Sequence, residues 1–144
     1  MNLYFLNSAL TKITAKEGYG LEDQWNLLTE IKSADNDHIE AMAEVPSDSL
    51  WFSGHFPGEP ILPGIALVYV VKQAINREAQ KKGEQFEMRA LKRVRFTQPV
   101  RPGDTLSLNI ASEDKGDEKL YHFKILCREN IVSSGAIAAR RIKE

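Results

Sequence analysis

Residues 65–75, IALVYVVKQAI, begin with seven apolar side chains in a row and then turn polar. No Gly or Pro interrupts the run from Ile65 to Lys82, while Pro63-Gly64 precedes it and Gly83 follows. These are start and stop signals, and they predict a helix from about Pro63-Gly64 to Gly83. The β-branched Val68, Val70 and Val71 favour a strand locally, but strands rarely run this long. A surface helix carries one apolar stripe; a half-helix that is apolar almost all round has to be buried on several sides. A flat sheet covers only one of those sides, so the rest of the chain must supply a sheet that curls around this helix.

The flanking sequence has the matching period of two. In WNLLTEIKSADNDHIEAMAEV, residues 25–45, Ile39, Ala41, Ala43 and Val45 alternate with Glu40, Met42 and Glu44, and ADND supplies Asx-type turn chemistry, which predicts a hairpin. After Gly83, RALKRVRFTQPV reads as a strand and RPGD as a turn. TLSLNIA places Leu106, Leu108 and Ile110 on one face, and EDKGDE reads as a further turn. KLYHFKILCRE sets Tyr121, Phe123, Ile125 and Cys127 opposite His122 and Lys124, and IVSSGAIAARRI closes the chain as a strand with small residues. The predicted order is a hairpin, one long helix and a run of antiparallel strands. Residues 1–20 are expected to form an N-terminal arm and residues 21–144 a single domain.

Composition excludes several classes. The chain of 144 residues has a formal net charge of −1 and no long run of one sign, so it lacks the basic footprint of a nucleic-acid binder. Cys127 is the only cysteine; no internal disulfide can form, which fits a reducing cytoplasm, and its alternating context predicts burial and an unreactive thiol. No segment reaches the roughly 18 apolar residues of a membrane span, and the opening MNLYFLNSALTK does not read as a signal peptide. His38 beside a turn and His122 on a polar strand face are expected to be solvated. No metal or other cofactor is implied, because no histidine pair has ligand spacing with a carboxylate or thiol nearby.

The stretch GHFPGEPILPG, Gly54 to Gly64, surrounds one histidine with three prolines and three glycines immediately ahead of the helix. It resembles the signature of the (3R)-hydroxyacyl-[acyl-carrier-protein] dehydratases of bacterial fatty-acid synthesis, and VRFTQPVRPGDTL is similar to the strand-turn-strand after the helix in that family. The resemblance implies a hot-dog fold of α+β class, a curled antiparallel sheet wrapped around one central helix. It implies a homodimer that builds each site from two subunits, acting on acyl chains linked to an acyl-carrier protein or to coenzyme A. The matching catalytic positions are His55, which acts on the substrate's α-carbon, and Gly64, whose N–H polarises the thioester carbonyl. The family's third catalytic group is an acidic residue one helix turn further on, contributed across the dimer interface. Here that position is Tyr69. The helix glutamine is retained as Gln73, and Phe56, Pro63 and Ile65 adjoin the same site as expected substrate contacts.

The chemistry agrees with two of these assignments. A neutral imidazole with a pKa near working pH suits removal of an α-proton. A helix N-terminus offers oriented N–H groups and partial positive charge to a developing enolate oxygen. Tyrosine is the departure: carboxyls ionise near pH 4 and burial raises them into a useful range, whereas phenols start near 10. Two function classes therefore stand side by side, a lyase that dehydrates 3-hydroxyacyl thioesters and a thioester-binding or scaffold protein on the same frame without catalysis. Glu59, four residues from His55, is expected to be solvent-exposed rather than a replacement acid. Lys92, Arg93, Arg95 and Arg101, with the tail ARRIKE, offer a basic face to an acidic carrier protein or to coenzyme A phosphates.

Overall fold

A computed structural model describes residues 25–52 and 58–142. The expected arm at 1–20 lies outside them. Among the described residues, six strands and one long helix follow in chain order: β1 (Leu28–Ala34), β2 (His38–Glu44), a 3-10 turn (Leu50–Phe52), α1 (Gly64–Lys81), β3 (Phe86–Phe96), β4 (Thr105–Lys115), β5 (Glu118–Cys127) and β6 (Asn130–Arg141). The strands form one sheet in the order β1-β2-β4-β5-β6-β3, with every pair antiparallel. The chain leaves β2 near one end of this sheet, passes through α1 and re-enters as β3 at the opposite end. This is the curled sheet and single helix expected of the hot-dog fold.

Helix α1 is buried as its sequence requires. Ala66, Leu67, Val68, Tyr69, Val70 and Val71 are all buried, and only Ala74, Ile75 and Ala79 continue the buried set. The all-round apolar half is thus enclosed, and the polar half keeps one stripe on the sheet. The helix ends in a Schellman arrangement: the Glu84 N–H donates to the Ala79 carbonyl at 2.9 Å and the Gly83 N–H to Gln80 at 3.1 Å, with Gly83 left-handed at φ +69°. The facing strands bury Ile39, Ala41 and Ala43 of β2, Leu106, Leu108 and Ile110 of β4, and Tyr121, Phe123 and Ile125 of β5. Register sets Ala41 against Leu108, Leu108 against Ile125 and Ile110 against Phe123, so the predicted faces coincide in one core.

Turn chemistry holds the register. In the β1–β2 connection the Asp37 N–H donates to Asp35 Oδ1 at 3.0 Å, and the Asp35 N–H to the His38 carbonyl at 2.9 Å. The Asp37 amide also holds the Asp35 carboxyl below its ordinary value. At RPGD, Asp104 accepts from the Arg101 N–H at 2.9 Å. The predicted turn EDKGDE is shorter than its polar composition suggested: Lys115 pairs with Glu118, so the strands run up to Gly116-Asp117. Cys127 is half-buried rather than buried, because β5 ends there, and burial still pushes its thiol pKa up.

Strand β3 does not alternate simply. Its pairing with β6 shifts between Met88 and Ala90 and again between Lys92 and Arg95, with Arg93 left-handed at φ 53°. Each extra residue reverses which side chains face inward. Leu91 and Val94 therefore pack against the core and Phe96 turns toward the helix start while staying exposed, and Arg93 and Arg95 are exposed as well. Without the second bulge, the phase set by Leu91 would turn both arginines into the core.

Two expectations follow for stability. A Cβ on Gly135 of β6 would lie 2.9 Å from the Val94 Cα and 3.1 Å from Phe123 Cζ, beside the bulge. Gly135→Ala is expected to destabilise by about 1–3 kcal/mol through overpacking, lowering Tm by roughly 2–4 °C per kcal/mol in a thermal melt. The β5–β6 hairpin turns through Arg128 and Glu129, left-handed at φ 51° and 72° without a glycine. Glu129→Gly is expected to raise stability by roughly 0.5–1 kcal/mol, read as a higher denaturation midpoint at unchanged slope.

Candidate active site at the start of the central helix

The start of α1 is fixed from two directions. The Leu62 N–H donates to the Val100 carbonyl at 2.8 Å, which ties the approach to the helix to the segment after β3. Pro63 is the N-cap, extended at φ −66° and ψ 148°, with no side-chain cap, and no acidic residue occupies the first turn. Proline at this point supplies a fixed φ but no oxygen for the first amides. The Ala66 N–H donates to the Pro63 carbonyl at 3.0 Å, while the Gly64 N–H meets no acceptor among the described residues. A first-turn amide at an uncapped helix end is oriented outward with the positive end of the peptide dipoles behind it.

Phe96 closes one side of this helix start. Its ring atoms Cζ, Cε2 and Cε1 would lie 2.7, 2.8 and 2.9 Å from a Cβ on Gly64, so the bare Gly64 Cα is what lets the ring approach. The strand end that carries Phe96 is pinned on both sides. Ser133 Oγ donates to the Arg95 carbonyl at 2.9 Å, and Thr97 donates through N–H to Val132 at 2.9 Å and through Oγ1 to Ile131 at 2.6 Å. The second β3 bulge delivers Phe96 to this face.

Tyr69 is 2% exposed and faces an aromatic stack. Its ring centroid is 5.7 Å from that of Trp51, tilted by 54°, and Trp51 in turn meets Trp25 edge-on at 4.8 Å. The Trp51 Nε1–H donates to the Trp25 carbonyl at 2.8 Å. Trp51 lies in the 3-10 turn four positions before His55, so the chain enters the GHFPG segment from a residue locked against Tyr69. Sequence reading missed Trp51; the signal available was its position in SLWF, immediately ahead of the motif. Tyr69 and Gln73 both line a depression of about 450 Å³ that continues over Lys72, Asn76, Arg77 and Gln80, and Gly64 is not part of it. Gln73 Oε1 is buried without a hydrogen-bond partner among the described residues.

His55 and Phe56 lie outside the described residues, so the structure positions Gly64, Pro63, Ile65, Tyr69 and Gln73 of the expected set. Pro63, Gly64 and Ile65 are half-buried at the helix start. Glu59 is exposed and its carboxylate lies 3.4 Å from Arg101 Nη2. His122 is exposed and 3.6 Å from Glu113 on the sheet exterior, and His38 is half-buried beside its turn. Among the described residues no three His, Cys, Asp or Glu side chains converge as metal ligands, and no helix is long and apolar enough to cross a membrane.

Comparison with known proteins bears on the family and the fold. A 3-hydroxyacyl-[acyl-carrier-protein] dehydratase FabZ of Haemophilus influenzae is 38% identical over 77 residues, 50% of this chain and 52% of that protein. The chain thus spans about half the length of the curated relatives it matches first. Among solved structures, the dehydratase heterocomplex ApeI:P from Xenorhabdus doucetiae aligns with a TM-score of 0.61 and 25% identity, over 81% of this chain and 98% of that one. The Escherichia coli PaaI protein of the phenylacetic acid degradation operon shares the fold, with a TM-score of 0.68 and 16% identity over 99% of this chain and 97% of its own. The family model for ApeI-like dehydratases matches residues 30–136, so the chain belongs to that dehydratase family.

Proposed function

We propose that the protein dehydrates 3-hydroxyacyl thioesters, carried on an acyl-carrier protein or coenzyme A, to trans-2-enoyl thioesters. The observation that supports this reading best is the uncapped start of α1. Directly after GHFPGEPILPG the helix presents a Gly64 amide with no side-chain cap, no first-turn carboxylate and no acceptor among the described residues. In the reaction, the His55 imidazole takes a proton from C2, and the C–H electron pair moves into the C1–C2 bond while the thioester oxygen becomes negative. The Gly64 N–H donates to that oxygen. As the carbonyl re-forms, the C2=C3 bond forms, the C3–O bond breaks, and hydroxide leaves as water after taking a proton. One preorganised donor to such an oxygen is worth about 10²–10³ in rate.

The leaving hydroxide needs that proton from somewhere. Protonated His55 carries the one just taken from C2, and Tyr69, Gln73 or a water assists its delivery. Losing a dedicated acid–base group costs about 10²–10⁴ in rate, which slows a dehydratase of this design without forbidding it. The active form in this reading is a homodimer in the cytoplasm, with the acyl chain beside α1. The exposed Lys92, Arg93 and Arg95 of β3 would face the acidic carrier.

A second reading is favoured by one feature, the tyrosine at the carboxylate's position packed against Trp51. Here the chain binds acyl thioesters without turning them over alone, and a related chain supplies the missing acid, as the pairing in the Xenorhabdus doucetiae heterocomplex suggests. The two separate in one assay: interconversion of a 3-hydroxyacyl thioester and its trans-2-enoyl product by the native protein, His55→Ala and Tyr69→Glu. Native turnover reduced at least 10²-fold in His55→Ala is the expected result. Absence of native turnover with a gain in Tyr69→Glu would instead establish the second reading.

A further inference from the structure

We propose that Phe96 is a specificity-determining residue, a fixed wall beside the Gly64 amide that excludes thioesters bearing a substituent on C2. The inference rests on the reading that the Gly64 N–H receives the thioester carbonyl. A carbonyl oxygen bonded to that amide sits about 2.9 Å from the nitrogen, which places C1 and C2 of the acyl group within a few ångströms of the Gly64 Cα. That space is bounded by the tip of the Phe96 ring, already too close to Gly64 for one additional methyl group, with contacts of 2.7 to 2.9 Å to a Cβ there.

The wall has a free side and a fixed base. Phe96 is 43% exposed, unlike the core residues around it, so its ring is open to a ligand. Its backbone has little freedom to retreat, because the residues on either side are hydrogen-bonded to β6 through Ser133, Val132 and Ile131. The left-handed Arg93 in the preceding bulge sets the phase that turns Phe96, rather than Arg95, toward the helix. A bulge that sets the side chain's direction, a large apolar ring left half in water and a glycine facing it are together what a selectivity wall requires. A C2-unsubstituted chain passes the ring as a flat enolate and enoyl group, whereas a C2 methyl meets the ring edge.

The test compares kcat/KM for a straight-chain 3-hydroxyacyl thioester and its 2-methyl analogue in the native protein, Phe96→Leu and Phe96→Ala. One methyl group in an apolar site is discriminated by about 10–200-fold, so the native protein is expected to prefer the unbranched substrate within that range. In Phe96→Ala the preference should shrink at least tenfold, with Phe96→Leu between. A preference that is unchanged in Phe96→Ala overturns the proposal. The same ratio is measured in parallel as equilibrium binding of non-hydrolysable thioether analogues with and without the 2-methyl group. If the native protein binds them but turns over neither substrate, the dehydratase reading fails while the binding ratio still decides the role of Phe96. Equal affinity of native and Phe96→Ala proteins for both analogues rejects the wall outright.

Discussion

Six consecutive side chains of α1, Ala66 to Val71, are out of water, and nearly every other feature of the protein answers to that burial. Fully burying a Val or Leu side chain is worth about 1.5–3 kcal/mol, so a helix carrying Leu67, Val68, Val70 and Val71 on different sides cannot lie on a surface. Strands β2, β4 and β5 give it Ile39, Ala41, Leu108, Ile110, Phe123 and Ile125, and the connection from β2 through α1 to β3 spans the sheet from one end toward the other. The helix N-terminus consequently comes to rest against the end of β3 and the segment after it, where the Val100 carbonyl receives the Leu62 N–H and Phe96 covers Gly64. Enclosing the helix is thus also what locates the candidate site.

Much of this was legible from residue patterns. The helix limits followed from Pro63-Gly64 and Gly83, and the inward faces of β2, β4 and β5 followed from strict alternation. Strand β3 was legible only as a strand. Its sequence RALKRVRF contains apolar residues at Leu91, Val94 and Phe96, a phase slip that a period of two cannot express. The bulge that reconciles them depends on pairing with β6, a neighbour remote in sequence. The length of the β4–β5 hairpin escaped for a similar reason: Glu113, Asp114, Lys115 and Glu118 are polar because their strands project past the core, not because the chain turns there.

The site shows the same division. Motif and helix chemistry together single out Gly64, and the structure leaves its amide uncapped. The surroundings of Tyr69 were not legible, because Trp51 reaches it through tertiary packing and is itself held by Trp25, 26 residues away, through ring contact and an indole N–H bond to the Trp25 carbonyl. At the carboxylate's position the protein places a ring held by another ring. That moves the demand for proton delivery toward His55 and makes the helix dipole and the Gly64 amide the chief means of stabilising charge in the proposed reaction.

The central claim is that the helix start and His55 together ionise C2 of a bound thioester, and this step can be observed even where loss of hydroxide is slow. The measurement is exchange of the C2 hydrogens of a saturated acyl thioester with solvent deuterium, followed by NMR in the presence of the native protein and of His55→Ala. The account predicts protein-dependent exchange that falls at least 10²-fold in His55→Ala. Binding of the thioester with exchange no faster than in buffer alone would contradict it.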